Sequence, residues 1–254
     1  MPLNRRELLG FAAAGIAAGF AMRPAHAAEG FKTKAIAFDA FAIFDPRPVF
    51  ALAEQLFPGN GAELSNVWRI RQFEYQWLRA LSGQYADFWQ ATEDSLVFTA
   101  AMLKLDLTSE KRNELMNAYL ELKTWPDVPP LLESLKSAGI RLAILSNATP
   151  KILKAGIKNS GLENVFEHSL STDTLKTYKP DPRAYQMAID AFRLNKQEIL
   201  YVPFAGWDAA GAKLFGYTTF WANRLSLPPE QLGAFPDRVA MNLNELAGFA
   251  KALQ

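Results

Sequence analysis

The sequence predicts an α/β protein with a doubly wound parallel sheet and an inserted helical cap. Three observations support this. Residues 125–254 alternate between short apolar runs and helix-like segments, which is the pattern of parallel strands and their crossover helices. An isolated apolar run at 35–38 has no polar alternation, as expected for a strand that is buried on both faces. The residues between these two parts, 46–124, have amphipathic helix patterns without a strand-like segment.

The first 27 residues have the three parts of an export signal. Arg5 and Arg6 precede an apolar stretch at 8–22, and a small-residue cleavage pattern follows at 25–27. That stretch is shorter than the roughly 20 residues that a membrane-spanning helix needs. The paired arginines resemble the twin-arginine (Tat) signal, whose family exports folded proteins. We therefore expect a Tat signal peptide over 1–27 and a periplasmic protein, with an ordinary export signal or an uncleaved anchor as alternatives.

The composition is that of a soluble globular protein. Half of the 254 residues are hydrophobic, 21% are charged, and the formal net charge is +1. This apolar fraction is sufficient for a sizeable core. The absence of a long basic run argues against a nucleic-acid partner. The chain has no cysteine, so it uses no disulfide framework. We also expect no stable membrane insertion after the signal is removed.

The mature chain divides into a core, 28–45 with 125–254, and a helical cap domain at 46–124. The cap is rich in aromatic residues at helical spacing, and ordinary packing explains most of them. Helices and strands of the core alternate after the cap. We expect strands at 140–145, 168–171, 198–202 and 217–221, and helices at 128–138, 150–159, 182–192, 208–215 and 242–253.

Polar side chains follow the predicted core strands. Asp39 ends the first strand, Ser146 and Asn147 end the second, and Asp208 follows the strand at 198–202. Lys179 lies in a loop that precedes a helix. Ligands of open α/β sheets bind at the carboxyl ends of the strands, so these residues form a candidate site with a nucleophile, a hydroxyl, an ammonium and a second carboxylate.

Each of these residues also has a purely structural interpretation. Asp39 could cap a turn, and Asp208 could cap the helix that follows it. Ser146 and Asn147 could cap the helix that begins near residue 150. Lys179 could be a solvated loop charge.

Four motifs together resemble the haloacid dehalogenase (HAD) superfamily. They are FDAF…FD around Asp39, SN at 146–147, KPDP from Lys179 and WD at Asp208. Within it, the type II L-2-haloacid dehalogenases are the best match, because the insertion looks like the cap of that group. The cap motifs are Val67–Arg69, Gln72–Leu81 and Tyr85–Trp89. The resemblance covers residues 34–222 and implies a Rossmann-like HAD core.

The resemblance implies a two-step hydrolysis of 2-haloalkanoic acids. Asp39 would displace halide from the α-carbon of an (S)-2-haloalkanoate, and water would then hydrolyse the aspartyl ester. Lys179 would keep Asp39 ionised, because a nearby positive charge favours a carboxylate. Asp208 would position or activate the water.

The resemblance also assigns binding roles. Arg69 and Asn147 would bind the leaving halide, and Ser146 would bind the substrate carboxylate. Phe41 and Trp207 would form an apolar wall. Tyr185 matches a tyrosine that supports the site. A homodimer through the cap is also implied.

No metal and no cofactor are implied. Phosphatases of the superfamily carry a second aspartate two positions after the nucleophile, and this chain has Phe41 there. A phenyl ring neither protonates a leaving alkoxide nor supplies the oxygen ligands that Mg²⁺ needs. A phosphate or ester hydrolase is therefore the weaker alternative.

Two loops differ from the family pattern. The loop from Asp39 to Asp45 is one residue shorter than usual and lacks the usual Gly and Thr. Pro203 and Ala205 occupy the positions of a serine and an asparagine that hold the hydrolytic water, and their side chains form no hydrogen bonds. A catalytically degenerate protein that binds small carboxylates without turnover is therefore an alternative function.

Overall fold

The computed structural model describes residues 33–253, so the signal peptide predicted over 1–27 lies outside the described residues. In this part of the chain, six strands form one parallel sheet in the order β3-β2-β1-β4-β5-β6. The predicted fold class is confirmed. The strands are β1 (Ala35–Phe38), β2 (Arg141–Ser146), β3 (His168–Ser171), β4 (Ile199–Val202), β5 (Thr218–Ala222) and β6 (Arg238–Ala240).

The sheet changes winding direction at β1. Strands β2 and β3 extend from one side of β1, and β4, β5 and β6 extend from the other. The carboxyl ends of β1 and β4 therefore border a topological switch point, which is where such sheets bind ligands. Asp39 follows β1 directly, and its backbone N–H donates to Val202 O at the end of β4 (2.9 Å).

Helices cover both faces of the sheet, which explains why the central strands are apolar without alternation. Ile36 and Phe38 pack into one core cluster, whereas Ala35 and Ala37 pack into a second cluster on the opposite face. The helices are α1 (Ala40–Ile43), α2 (Arg47–Leu56), α3 (Gly61–Leu81), α4 (Phe88–Met102), α5 (Ser109–Ala118), α6 (Val128–Ser137), α7 (Pro150–Asn159), α8 (Pro182–Phe192), α9 (Gly206–Phe215) and α10 (Leu246–Ala252).

Some boundaries differ from the sequence predictions. The last helix begins at Leu246 rather than 242, because Leu243 N donates to the carboxylate of Asp127 (2.7 Å) in a turn. The short edge strand β6 and the single-turn helix α1 were not predicted. An exposed three-residue strand carries no apolar run, and one helical turn is too short to show a period.

Helices α2 to α5 form an insertion that leaves and re-enters the core at one place. Phe44 pairs with Thr124 in an antiparallel bridge. On either side of it, Asp45 N donates to Lys123 O (2.8 Å) and Trp125 N donates to Ile43 O (3.0 Å). The division into a separate cap domain stays a prediction. None of the helices in residues 33–253 is long and apolar enough to cross a bilayer.

The insertion contacts the core beside the candidate site. Trp77 in α3 donates its indole N–H to the backbone carbonyl of Lys179 (3.1 Å). Tyr178, the residue before this lysine, donates its hydroxyl to the backbone carbonyl of Ala86. Two hydrogen bonds from adjacent positions therefore attach the lysine loop to the insertion.

Candidate active site

A buried lysine lies at the centre of the candidate site. Lys179 Nζ is 2.7 Å from Asp39 Oδ2, 2.6 Å from Asp208 Oδ2 and 2.8 Å from the hydroxyl oxygen of Tyr201. An ammonium group has three N–H donors, so these three short contacts satisfy it completely. The residue is only 1% exposed, which excludes the interpretation of a solvated loop charge.

The end of β1 orients the carboxylate of Asp39. This residue is the N-cap of α1, and its Oδ1 accepts a hydrogen bond from Phe41 N (2.9 Å). With Oδ1 fixed by the backbone, Oδ2 is directed at Lys179. The capping role and the contact with the lysine therefore coexist, one at each oxygen.

Asp208 lies in the first turn of α9 but does not cap it, because the N-cap is Ala205. Its Oδ1 accepts from the hydroxyl of Tyr185 (2.8 Å), and its Oδ2 contacts Lys179 and Tyr201. One turn further on, a Cβ at Gly211 would lie 2.6 Å from the hydroxyl oxygen of Tyr185. The glycine therefore allows α9 to approach closely enough for Asp208 to enter the site.

The two carboxylates control the charge of the lysine. Burial opposes the ammonium form, but the nearby carboxylates of Asp208 and Asp39 outweigh it and raise the pKa of Lys179 above its ordinary value. Burial, together with the negative charge of Asp39, raises the pKa of the Asp208 carboxyl, while Lys179 opposes that shift. A protonated lysine therefore lies between the two acids, 2.7 Å from Asp39 Oδ2 and 2.6 Å from Asp208 Oδ2.

A hydrogen-bonded chain of amides extends from the lysine loop into α3. Lys179 N donates to Asn147 Oδ1 (2.8 Å), and Asn147 Nδ2 donates to Gln76 Oε1 (3.2 Å). A backbone N–H can only donate, so it fixes the orientation of both amide groups. Gln76 Nε2 is then a buried donor without a partner among the described residues, at the cavity that Asp39 also lines.

Ser146 and Asn147 do not cap the helix that follows them. The N-cap of α7 is Thr149, whose hydroxyl accepts from Ile152 N. Ser146 Oγ instead accepts from Ala148 N (3.1 Å), and the residue lines the cavity around Asp39. Both predicted residues therefore belong to the site.

The cavity beside Asp39 is small, about 30 Å³, and its aromatic walls continue into an adjoining cavity of about 230 Å³. Phe41 and Trp207 line both cavities, as predicted for an apolar wall. The ring of Trp207 meets those of Phe73 and Trp77 edge to face, at 4.9 and 5.5 Å between centroids. These aromatic contacts create a dry environment in which electrostatic interactions are strong.

Arg69 lines the adjoining cavity and is not among the residues around Asp39. Its guanidinium lies 5.3 Å from the ring centre of Phe50 and donates to Asn66 Oδ1 (3.2 Å). Burial lowers the pKa of this guanidinium. It forms no ion pair with the described residues, and its role in halide binding stays a prediction.

Two further site residues, Tyr201 and Gln76, were missed in the sequence. Tyr201 lies inside an apolar strand, where tyrosine usually indicates core packing. Gln76 is one of several polar residues on a long helix, and its spacing does not distinguish it. Within residues 33–253, no group of three or more His, Cys, Asp or Glu side chains could hold a metal ion.

Comparison with known proteins finds a matching family and similar relatives. Residues 14–216 match the family model of the haloacid dehalogenase-like hydrolases. The chain is 44% identical over 205 residues to an (S)-2-haloacid dehalogenase of Pseudomonas sp. (strain YL), covering 80% of this chain and 88% of the relative.

Two solved structures show the same similarity. The L-2-haloacid dehalogenase RSc1362 has a TM-score of 0.84 at 41% identity, over 86% of this chain and 99% of that chain. The L-2-haloacid dehalogenase of Xanthobacter autotrophicus with chloropropionic acid covalently bound has a TM-score of 0.79 at 32% identity, over 87% and 99%.

Proposed function

Because the chain belongs to the haloacid dehalogenase-like hydrolases, we propose that it is an (S)-2-haloacid dehalogenase, which converts 2-haloalkanoic acids to 2-hydroxy acids. It is a hydrolase that acts on carbon–halogen bonds. The observation that carries the proposal is the buried ammonium of Lys179 between the carboxylates of Asp39 and Asp208. That arrangement places a nucleophilic residue and a second acid on either side of an ammonium at one small cavity.

In the first step, a carboxylate oxygen of Asp39 attacks the α-carbon of the substrate. A carbon–oxygen bond forms, the carbon–halogen bond breaks, and halide leaves with inversion of configuration. Lys179 orients the nucleophile through an ion pair, in which its Nζ lies 2.7 Å from Asp39 Oδ2. Asn147 and Ser146 line the cavity around Asp39 and are the proposed donors for the halide and the substrate carboxylate.

In the second step, water attacks the ester carbonyl of Asp39. Asp208 takes one proton of the water as general base and passes it to the leaving alkoxide, which gives the 2-hydroxy acid. The second proton of the water is released to solvent, so Asp39 and Asp208 are both restored. The raised pKa of the Asp208 carboxyl favours this role, because burial makes it a better proton acceptor than an ordinary aspartate. Splitting one displacement into two steps lowers each barrier.

The test is halide release from the two enantiomers of 2-chloropropionate. The mature protein should release chloride from the (S) form and form (R)-lactate, without release from the (R) form. A folded protein that releases no halide from either enantiomer would reject the proposed function.

The second candidate is a binder of small carboxylates that performs no turnover. Pro203 and Ala205 favour it, since their side chains provide no hydrogen bonds for a hydrolytic water. Thermal stabilisation by 2-hydroxy acids, without product formation from any 2-haloacid, is its expected result. Turnover at ordinary enzyme rates would exclude it.

A substitution at Gln76 tests how the site binds the negative charge of its substrate. We expect Gln76→Glu to lower kcat/KM by about tenfold or more, because a buried donor that faces the anion becomes a repelling charge. This substitution keeps an acceptor for Asn147 Nδ2, so it separates donation to substrate from support of Asn147. Gln90→Glu, at an exposed position on α4, is the control, and unchanged kinetics in Gln76→Glu would contradict the role.

Export and assembly complete the proposal. We propose that a Tat signal over 1–27 directs the protein to the periplasm, and the mass of the exported chain tests where it is cleaved.

The homodimer is proposed to form through α3 and α4, whose exposed apolar residues include Leu78, Leu81, Phe98 and Met102. Light scattering of Leu81→Glu against the unmodified protein tests this interface.

A further inference from the structure

The hydroxyl of Tyr201 contacts two charged side chains of the candidate site. The residue is fully buried in β4, and its oxygen lies 2.8 Å from Lys179 Nζ and 3.0 Å from Asp208 Oδ2. Its ring stacks on Tyr217 at 5.7 Å and meets Tyr185 edge to face at 5.6 Å. The ring is therefore held in place, and the hydroxyl cannot move away from the acid and the lysine.

The direction of these hydrogen bonds follows from the groups themselves. An ammonium can only donate, so Tyr201 accepts from Lys179 and must donate its one proton to Asp208. Burial, with the charges of Asp208 and Asp39, raises the pKa of the Tyr201 phenol well above its ordinary value, so it stays protonated. The tyrosine therefore links the lysine to one oxygen of the second acid.

The loop after β4 gives this link its importance. Pro203, Phe204 and Ala205 provide no side-chain donor or acceptor. The only side chains that hydrogen-bond to Asp208 within residues 33–253 are those of Lys179, Tyr185 and Tyr201. Of these, Tyr201 alone contacts both Asp208 and Lys179.

We propose that Tyr201 is a positioning residue for hydrolysis of the Asp39 ester, where its hydroxyl fixes the orientation of Asp208. This inference rests on the proposed function. The hydroxyl holds Asp208 Oδ2 against Lys179, and Tyr185 holds Oδ1, so the orientation of this carboxylate toward a water depends on both tyrosines. The nucleophile is oriented by Phe41 N and Lys179, and this lysine keeps its contacts with both carboxylates when the Tyr201 hydroxyl is removed, so displacement of halide depends on Tyr201 less than hydrolysis does.

The experiment separates the two chemical steps in Tyr201→Phe. A single turnover with (S)-2-chloropropionate is quenched at intervals, chloride is measured, and the ester on the Asp39 peptide is measured by mass spectrometry. We expect chloride to appear at nearly the unmodified rate, while the ester decays about 10- to 100-fold more slowly and accumulates. The substitution removes two charge-assisted hydrogen bonds, one from Lys179 and one to Asp208. The ring stays in its place, because only the hydroxyl is removed.

Tyr217→Phe is the matched control. This tyrosine is also buried, and its hydroxyl donates to Tyr185 O (2.7 Å) rather than to the lysine or either acid. Its ester should decay at the unmodified rate. Equal slowing of both steps in Tyr201→Phe, or no slowing of ester decay, would overturn the inference.

The unmodified protein supplies a second measurement that does not depend on a variant folding. If Tyr201 positions Asp208 for hydrolysis, the unmodified protein hydrolyses its ester as fast as it forms, and little ester is detected during turnover. A burst of chloride followed by persistent ester would overturn the inference while leaving the displacement step intact. Complete absence of chloride would instead reject the proposed function.

Discussion

Asp39→Asn should lower halide release by about 10⁴-fold or more and leave no covalent adduct on the peptide that contains residue 39. An amide oxygen is a much weaker nucleophile than a carboxylate, so the carbon–oxygen bond does not form. The substitution keeps the size of the side chain and an oxygen for the N–H of Phe41, so the fold should persist. The measurement is chloride release combined with intact-protein mass spectrometry.

Asp45→Asn is the matched control for this result. Asp45 lies in the same loop, but its carboxylate pairs with Arg47 Nη2 (2.7 Å) outside the cavity. Loss of this ion pair in Asp45→Asn should change turnover by less than about twofold, since exposed ion pairs contribute little. Halide release by Asp39→Asn at the unmodified rate would remove Asp39 as the nucleophile.

Lys179→Met should abolish turnover and lower the free energy of unfolding by about 3–5 kcal/mol near neutral pH. Removing the ammonium leaves two carboxylates buried beside each other without a counter-charge. Urea denaturation measures the loss. Lys213→Met is the control, because that lysine pairs with Asp237 at a partly exposed site and should cost less than about 1 kcal/mol.

The pH dependence of this loss follows from the pKa shifts. The raised pKa of Lys179 means that its stabilisation is complete below the value of an unfolded lysine and disappears as the pH rises through the folded value. In Lys179→Met, the pKa of the Asp208 carboxyl rises further, so acidification protonates it and restores stability. The difference from the unmodified protein should therefore shrink at acidic pH, and a difference independent of pH would contradict the model of a charged cluster.

The sequence was sufficient to predict the fold because the central strands are covered on both faces and therefore contain apolar runs. It also indicated Asp39, Lys179 and Asp208, since polar residues at successive strand ends converge at one edge. The contacts of Tyr201 could not be predicted. Its neighbours in β4 are apolar, and only the three-dimensional approach of Lys179 gives its hydroxyl a partner. Gln76 was missed for a similar reason, because its partner Asn147 is 71 residues away along the chain.

The bridge between Phe44 and Thr124 brings the two ends of the insertion together. Since the two ends meet at one pair of residues, the chain between them can lengthen or shorten without moving β1 away from β2. Loop-closure entropy also tolerates such change, because doubling the length costs only about 0.6 kcal/mol. Such changes leave the site intact only where they spare the contacts of Gln76 and Trp77 with the core.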